Sequence, residues 1–374
     1  MCRKDRRKRI ARSMEQKPLP KVDVAVVLWK SAEFLPALVQ GLMMLEYPKD
    51  RVTIHFVENG PGDGSLTALQ REIAKAGDRL PPIKIHQPGS NTGFAGGNNI
   101  VMREAIEQGS EYVFLLNHDA SFEPSALKEA VTAAMQSENV GSVQSLLVLA
   151  EKPEEVNSRG NAIQYLGFGY CLGYHEARSA QPSDIRDIAY ASGAAVLYPV
   201  SVLKDVGLLD ETLWLYHEDL DLGWKIRLAG YRNLLAPKSV VRHRYEFSRS
   251  IQKWYWMERN RIAVVLKNYS AWTIILLLPQ LFVADIARFA FALKGGWGKE
   301  KVRASAWFWR PQTWSYLLRG RQDIARIRRI PDKMILKHFT PVIAYQEFED
   351  PFTTAVVNPA WRLLFRMLKI VVFW

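Results

Sequence analysis

Cysteine is almost missing from this chain: Cys2 and Cys171 are the only two among 374 residues. That excludes a disulfide framework and a cysteine-based zinc module, and it fits a reducing compartment. No apolar core follows the basic opening MCRKDRRKRIARS, so it does not read as a secretory signal. The expectation is a disordered basic tail over residues 1–20. A full-length uncharged run is missing as well. Asn268 to Ala284 carries no charge, but this falls short of the roughly 20 residues that a spanning helix needs. Pro279 interrupts it, and Asp285 and Arg288 follow. Residues 271–293 therefore read as a helix lying in a membrane interface or packed on the globular part, rather than crossing a bilayer. Three glycine signatures are also absent. Leu28, at the end of the first strand-like run, is followed by WKSAEF, without the Gly-rich turn of a dinucleotide fold. There is no G-x-x-x-x-G-K-[ST] phosphate loop and no G-x-S-x-G nucleophile elbow.

What is present is positive charge. The net charge is +12 and the pI about 9.6, with 48% hydrophobic and 24% charged residues. This is a globular composition with a preference for an anionic partner: nucleic acid, a phosphorylated substrate or an acidic membrane. The basic residues concentrate near the ends, beside apolar helical segments, which favours a membrane over nucleic acid. From about Ile251 the composition shifts to WYWMERNRIAVVLKNYS, WFWRPQTW, RGRQDIARIRR and WRLLFRMLKIVVFW. In the last of these, Arg362, Arg366 and Lys369 recur at i, i+4 and i+7 and form a basic stripe on an otherwise apolar helix. Residues 21–250 are expected to form one α/β domain, and 251–374 a helical, aromatic and basic region associated with a membrane.

Within 21–250, strand-like and helix-like segments alternate. The runs 22–28, 52–58, 83–87 and 111–116 read as strands; 33–44, 100–109 and the PSALKEAVTAAMQ segment read as helices. Residues 140–190 are less regular and look like an insertion with strands and loops, and 188–199 returns to strand character. Repeated β-loop-α units imply a mostly parallel central sheet flanked by helices. Ligands of such sheets bind beyond the carboxyl ends of the strands. There the loops after Leu28, Val57, His86 and Leu116 would gather. Farther on, LWLYHEDLDLGWKIRLAGY reads as a helix. Glu218, Asp219 and Asp221 suit its positive end, Leu220, Trp224 and Leu228 form a buried face, and Gly230 sits at its stop. It is either a well-capped amphipathic helix or a carboxylate site.

The loops carry matching chemistry. Asn117, His118 and Asp119 follow a strong apolar strand, where a carboxylate can hold a divalent cation that bridges phosphates. Glu58-Asn59 ends another strand, where the carboxylate can accept hydrogen bonds from a base or a ribose hydroxyl. NTGFAGGNN (91–99) can bring backbone amides and Asn98 near a diphosphate. Each is also an ordinary turn when read alone. His243 lies in a basic strand-like stretch, where a single histidine is most often structural.

Taken together, these segments resemble the family 2 glycosyltransferases, which have the GT-A fold, and in particular their bacterial rhamnosyltransferase-like branch. VAVVLWKSAEFLPALVQGL resembles the family's first strand and helix, VENGPGDGS its first acidic loop, and FLLNHDA its Asp-x-Asp-like motif. NTGFAGGNN is nearly verbatim, and SGAAVLYPVSVLKDVGLLDETLWLYHEDLDLGWKIRLAGYR matches the acceptor-side block almost throughout. The resemblance covers about 22–270. It implies nucleotide-sugar contacts from Trp29, Glu58, Asn91, Gly93, Phe94, Gly97, Asn98, Asn117, His118 and Asp119. It also implies a divalent metal (Mn²⁺ or Mg²⁺) on Asp119 and His243, Asp219 as general base, and Trp214, Glu218 and Asp221 on the acceptor side. Trp29-Lys30 stands where the family has Tyr-Asn, Glu58 and Asn117 where it has Asp. The implied reaction is inverting transfer of a hexose, rhamnose first, from a nucleotide-diphosphate sugar. The implied acceptor is a polyprenyl-diphosphate-linked saccharide at the cytoplasmic face of the membrane. The alternatives are a sugar nucleotidyltransferase, which would want a Gly-rich basic first loop, and a non-catalytic membrane or nucleic-acid binder on a decayed transferase, which would have lost Asp119 or Asp219.

Overall fold

The computed structural model describes residues 18–245, 251, 253–344 and 353–374; most of the basic tail expected at 1–20 lies outside them. The chain runs β1 (Val22–Leu28), α1 (Leu35–Met43), β2 (Val52–Glu58), α2 (Ser65–Ala76), β3 (Ile83–His86), α3 (Gly93–Gln108), β4 (Tyr112–Leu116), β5 (Ala120–Phe122) and α4 (Ala126–Gln136). Then come β6 (Val140–Leu149), β7 (Val156–Ser158), β8 (Asn161–Ile163), β9 (Gly169–Cys171), β10 (Arg186–Ile188), β11 (Ala195–Pro199), α5 (Val200–Val206), α6 (Glu218–Leu228) and β12 (Arg232–His243). The C-terminal helices are α7 (Lys253–Asn268), α8 (Ala271–Lys294), α9 (Gly298–Trp307), α10 (Pro311–Ile327), α11 (Asp332–Ile335) and α12 (Asn358–Val371).

The main sheet is ordered β10-β12-β6-β11-β4-β1-β2-β3. All of these strands but β11 and β10 run the same way, so the sheet is mostly parallel. The exceptions matter. β11 runs away from the carboxyl edge, so the residues preceding it, Ser192–Ala194, stand beside the loops that follow the parallel strands.

Strands β1 and β2 form where the apolar β-rich runs lie, and their centres are fully buried between two helical layers. One core layer holds α1, α2 and α4, and the other α3, α5 and the Leu222–Ile226 face of α6. Leu220, Trp224 and Leu228 point the other way, into a third core built with α7, α8, α10 and α12. Both flanks of α6 are therefore covered, and the charged residues between them must find partners inside the protein. Trp224 meets Tyr269 and Phe339 edge-on, at 4.6 and 4.7 Å between ring centroids.

Two expectations change. Residues 140–149 are not part of an insertion but the central strand β6, paired with β12 and β11. Its polar residues disguise it. Ser142, Gln144 and Ser145 are buried, and they bond Asn233, Ser158 and Ser239, as buried polar groups must. The strand expected over 188–199 is two strands, β10 and β11, separated by the loop that carries Ser192–Ala194.

Candidate functional site

The carboxyl edge of the sheet brings distant residues together. Asp119 follows β4, and His243 ends β12; Asp119 Oδ1 and His243 Nε2 are 3.4 Å apart. His243 Nδ1 is 2.9 Å from Asn157 Oδ1, a contact that orients the ring and turns Nε2 toward Asp119. The Asn117 amide lies 3.4 Å from the same Nε2. Asp119 Oδ1 is buried without a hydrogen-bond partner. Burial by itself would raise its pKa, but the neighbouring His243, and then His118, outweigh it and hold the carboxyl at about 2. An ionised orphan oxygen beside an oriented imidazole fits a divalent cation such as Mn²⁺ or Mg²⁺, and Asp119 with His243 would hold it. His118 turns away: its Nδ1 meets the Val27 carbonyl at 3.1 Å, and its ring packs on Phe34.

Asp219 opens α6. Its Oδ2 accepts the Gly193 N–H at 3.0 Å and its Oδ1 the Leu220 N–H at 2.7 Å. Asn117 N–H donates to the Ala194 carbonyl at 3.0 Å. Two adjacent residues thus join the base candidate to the metal corner. Burial raises the Asp219 pKa, and the two backbone donors restore only part of the shift. Beside it, Glu218 is raised well above the ordinary range by burial and then by the charge of Asp219. Its Oε2 is buried without a partner. Glu218 therefore keeps its proton while Asp219 ionises first. Both line a cavity of about 260 Å³, walled by Tyr190, Phe168, Tyr170, Tyr216, Trp254, Arg261, Arg288 and Phe291.

The Gly/Asn-rich segment behaves differently from its expectation. It is not a loop leading into a helix; α3 begins at Gly93. The amides offered to a diphosphate are already used. Gly93 N–H donates to Asn91 Oδ1, and the Phe94 and Ala95 N–H groups donate to the Trp214 carbonyl. Gly97 has only 2.9 Å between an added Cβ and the Val27 side chain, so it serves close helix–sheet packing. Asn98 is buried and donates to the Phe94 carbonyl. The Phe94 ring packs over Gly193. These residues hold the site's frame.

Comparison with known proteins decides the family. The family model described as "Glycosyltransferase like family 2" matches residues 20–265. The chain belongs to that family. It is 24% identical over 231 residues to the N-acetylglucosaminyl-diphospho-decaprenol L-rhamnosyltransferase of Mycobacterium tuberculosis, covering 56% of this chain and 72% of that one. It is 26% identical over 140 residues to the low-salt glycan biosynthesis hexosyltransferase Agl10 of Haloferax volcanii, covering 37% and 44%. Among solved structures it resembles GalNAc-T7, crystallised with UDP, GalNAc and Mn²⁺, at a TM-score of 0.53 and 14% identity. That match covers 67% of this chain and 48% of that one. The fold is the GT-A fold of glycosyltransferases.

At the other end of this glycosyltransferase's site, Trp29 stands 48% exposed at the rim, with Lys30 Nζ 5.0 Å from its ring centroid. Glu58 accepts the Gln87 amide at 2.6 Å. The sequence places Asn59 only at the end of a strand; in the structure it fastens these loops. Asn59 is buried, its amide donating to Asn91 Oδ1 and the Gly93 carbonyl, its oxygen accepting from Thr92. Asp63, which sequence reasoning does not single out, accepts from the Lys30 and Ser65 amides and so ties the β1 loop to α2.

Asp221 is not on the acceptor side. It is fully enclosed, with Lys267 Nζ at 3.1 Å and Asn268 Nδ2 at 2.8 Å; it fastens α6 to α7. Trp214 stacks on Trp256, with centroids 6.0 Å apart. Trp214, Tyr216 and His217 all have positive φ, near +65° to +70°, costly for residues other than glycine. α7 sustains that backbone. Asn260 Nδ2 donates to the Leu213, Leu215 and Tyr216 carbonyls, and Arg259 reaches those of Thr212 and Leu213. Glu258, Arg259, Asn260 and Arg261 are all buried, so the polar cluster in WMERNRI faces inward, not a membrane. Four consecutive polar residues in an aromatic helix were the available signal.

Proposed function

We propose that this chain is an inverting hexosyltransferase acting on a nucleotide-diphosphate sugar and a lipid-linked saccharide. The observation that carries the reading is the link from the Asp119–His243 pair through Asn117, Ala194 and Gly193 to Asp219. Electrophile-side and nucleophile-side groups share one rigid edge. In the proposed step, Asp219 accepts the proton of the acceptor hydroxyl. The hydroxyl oxygen attacks the anomeric carbon, and the bond to the nucleotide diphosphate breaks on the opposite face. A base of this kind contributes roughly 10²–10⁴-fold. A divalent ion, when bound, neutralises the charge that develops on the leaving diphosphate. Glu218, still protonated, donates a hydrogen bond to the acceptor. Rhamnose is the first sugar to test, because the Mycobacterium tuberculosis relative is named a rhamnosyltransferase and its acceptor a diphospho-decaprenol.

The C-terminal helices support a site at an anionic cytoplasmic membrane face. α8 is the one helix among the described residues long and apolar enough to cross a bilayer. Its Thr273, Leu277, Leu281 and Ala284 pack inward, while Trp272, Leu278, Phe282 and Ile286 are exposed. α12 exposes Leu363, Met367 and Ile370 alongside Arg362, Arg366 and Lys369. Apolar faces fringed by cations suit an interfacial position.

The test is a thermal-shift panel of nucleotide hexoses with Mn²⁺ or Mg²⁺, followed by transfer of radiolabelled sugar to polyprenyl-diphosphate saccharides. A true donor raises the melting temperature, by an amount that grows with the logarithm of ligand concentration over Kd. If no nucleotide sugar stabilises the protein and none is transferred, the reading fails. Flotation with anionic liposomes, with competing DNA, tests the membrane assignment; Leu363→Glu with Ile370→Glu should release the protein.

A further inference from the structure

The mechanism leaves a buried histidine and carboxylate cluster unused. It lies on the β2–β3 side of the sheet, two strands from β4 and Asp119. His55 on β2 is wholly buried, and its Nε2 sits 3.1 Å from Asp23 Oδ1 on β1. Asp23 is itself buried, and its Oδ2 has no hydrogen-bond partner. His86 on β3 places Nε2 3.0 Å from His55 Nδ1. Glu104 on α3 places Oε2 3.4 Å from His86 Nε2 and 3.8 Å from His55 Nδ1. Its other oxygen is taken by Lys84 Nζ at 2.6 Å.

We infer that His55 Nδ1, His86 Nε2 and Glu104 Oε2 form a binding site for a borderline divalent ion of the Zn²⁺ class, separate from the catalytic metal pair. Three features carry this. The carboxylate of Asp23 takes the Nε2–H of His55 and so exposes Nδ1 as a lone pair, the outer-shell arrangement that orients metal-bound histidines. Two imidazoles and one carboxylate, with a fourth position open to solvent past the partly exposed His86 and Glu104, form the donor set of a three-ligand zinc site. The separations of 3.0, 3.4 and 3.8 Å bracket the edge of a tetrahedron with metal–ligand bonds near 2.0–2.1 Å, which is about 3.3 Å.

The two rings lie within 10° of parallel, at the spacing of an N–H···N hydrogen bond. Converging both lone pairs on one ion takes a turn of about 35° at each ring, given the tetrahedral angle. His86, on a four-residue edge strand, has room to supply most of it. Occupancy would staple that edge strand and α3 to β2. Glu58, three residues beyond His55, and Gln87, next to His86, are hydrogen-bonded to each other, so the staple sits directly beneath the donor-facing rim.

The experiment uses the untagged full chain, equilibrium dialysis against Zn²⁺, and Co²⁺ titration monitored by visible d–d absorption. The wild type and an Asp119→Asn/His243→Ala variant should each lose one bound Zn²⁺ when His86→Gln is added. In the Asp119→Asn/His243→Ala background the Co²⁺ band should vanish with it, and Glu104→Gln should weaken that equivalent at least tenfold. Zn²⁺ should raise the melting temperature of the Asp119→Asn/His243→Ala protein but not of the same protein carrying His86→Gln. Circular dichroism identifies variants that fail to fold in either background, and Glu104→Gln then stands in for His86→Gln. Unchanged stoichiometry in His86→Gln and Glu104→Gln, or no Zn²⁺ retained by Asp119→Asn/His243→Ala, overturns the proposal and leaves the cluster a hydrogen-bonded relay.

Discussion

Replacing Asp219 with asparagine is the sharpest test of the base, and the structure shows that the exchange is not isosteric in effect. Both carboxylate oxygens accept backbone N–H groups, from Gly193 at 3.0 Å and Leu220 at 2.7 Å. An amide has one oxygen, so its NH₂ must face one of those donors. Leaving a buried donor unmatched costs about 1–3 kcal/mol of stability. Loss of the base costs about 10²–10⁴-fold in kcat, equivalent to about 3–5.5 kcal/mol of barrier. The two effects separate experimentally. Denaturant unfolding reads the first, single-turnover transfer the second, and donor affinity shows whether the Gly193–Ala194 link has disturbed Asn117. We expect stability to fall by about 1–3 kcal/mol, kcat to fall at least a hundredfold, and donor affinity to hold. Asp219→Ala should lose the same rate with less competition for the donors. The pH profile adds a check. Burial raises the Asp219 pKa, so activity should fail on acidification above the usual aspartate range, near 3.9. A kcat loss below tenfold, or one matched by lost donor affinity, refutes the base assignment.

Glu218→Gln should stabilise the protein at neutral pH. The folded carboxyl holds its proton more tightly than the unfolded chain, so stability declines as pH rises from about 4.3 toward the raised folded value. The gain in melting temperature over wild type should shrink on acidification to pH 4. Asp221→Asn should cost about 3 kcal/mol or more in denaturant unfolding, because it breaks a buried pair with Lys267, while kcat changes little. Gly93→Ala should cost about 2–5 kcal/mol. Gly93 has φ +72°, and an added Cβ would lie 2.6 Å from the Trp214 ring, combining left-handed strain with overpacking.

Much of the frame was readable before the fold was known. β1 and β2 are β-rich runs whose apolar residues outweigh Asp23, Thr53 and His55, and their bounds follow from the residues alone. β6 was not, because Ser142, Gln144 and Ser145 break its apolar run and their partners arrive from β12 and β7. The first turns of α3 were hidden by glycine and asparagine, poor helix formers; Trp214 and Val27 make those residues necessary there.

The order of motifs, the acidic turn at 218–221 and the aromatic, basic C-terminal region were determined by the sequence. Which acid does which work was not. Successive residues of a helix are about 100° apart, so Asp219 and Asp221 point about 200° apart from the same turn. Only packing decides that one meets the Gly193 amide at the sheet edge and the other Lys267 inside the protein. Likewise, Asp119 and His243 lie 124 positions apart in the chain. They meet because β4 and β12 run the same way and end at the same edge of one sheet.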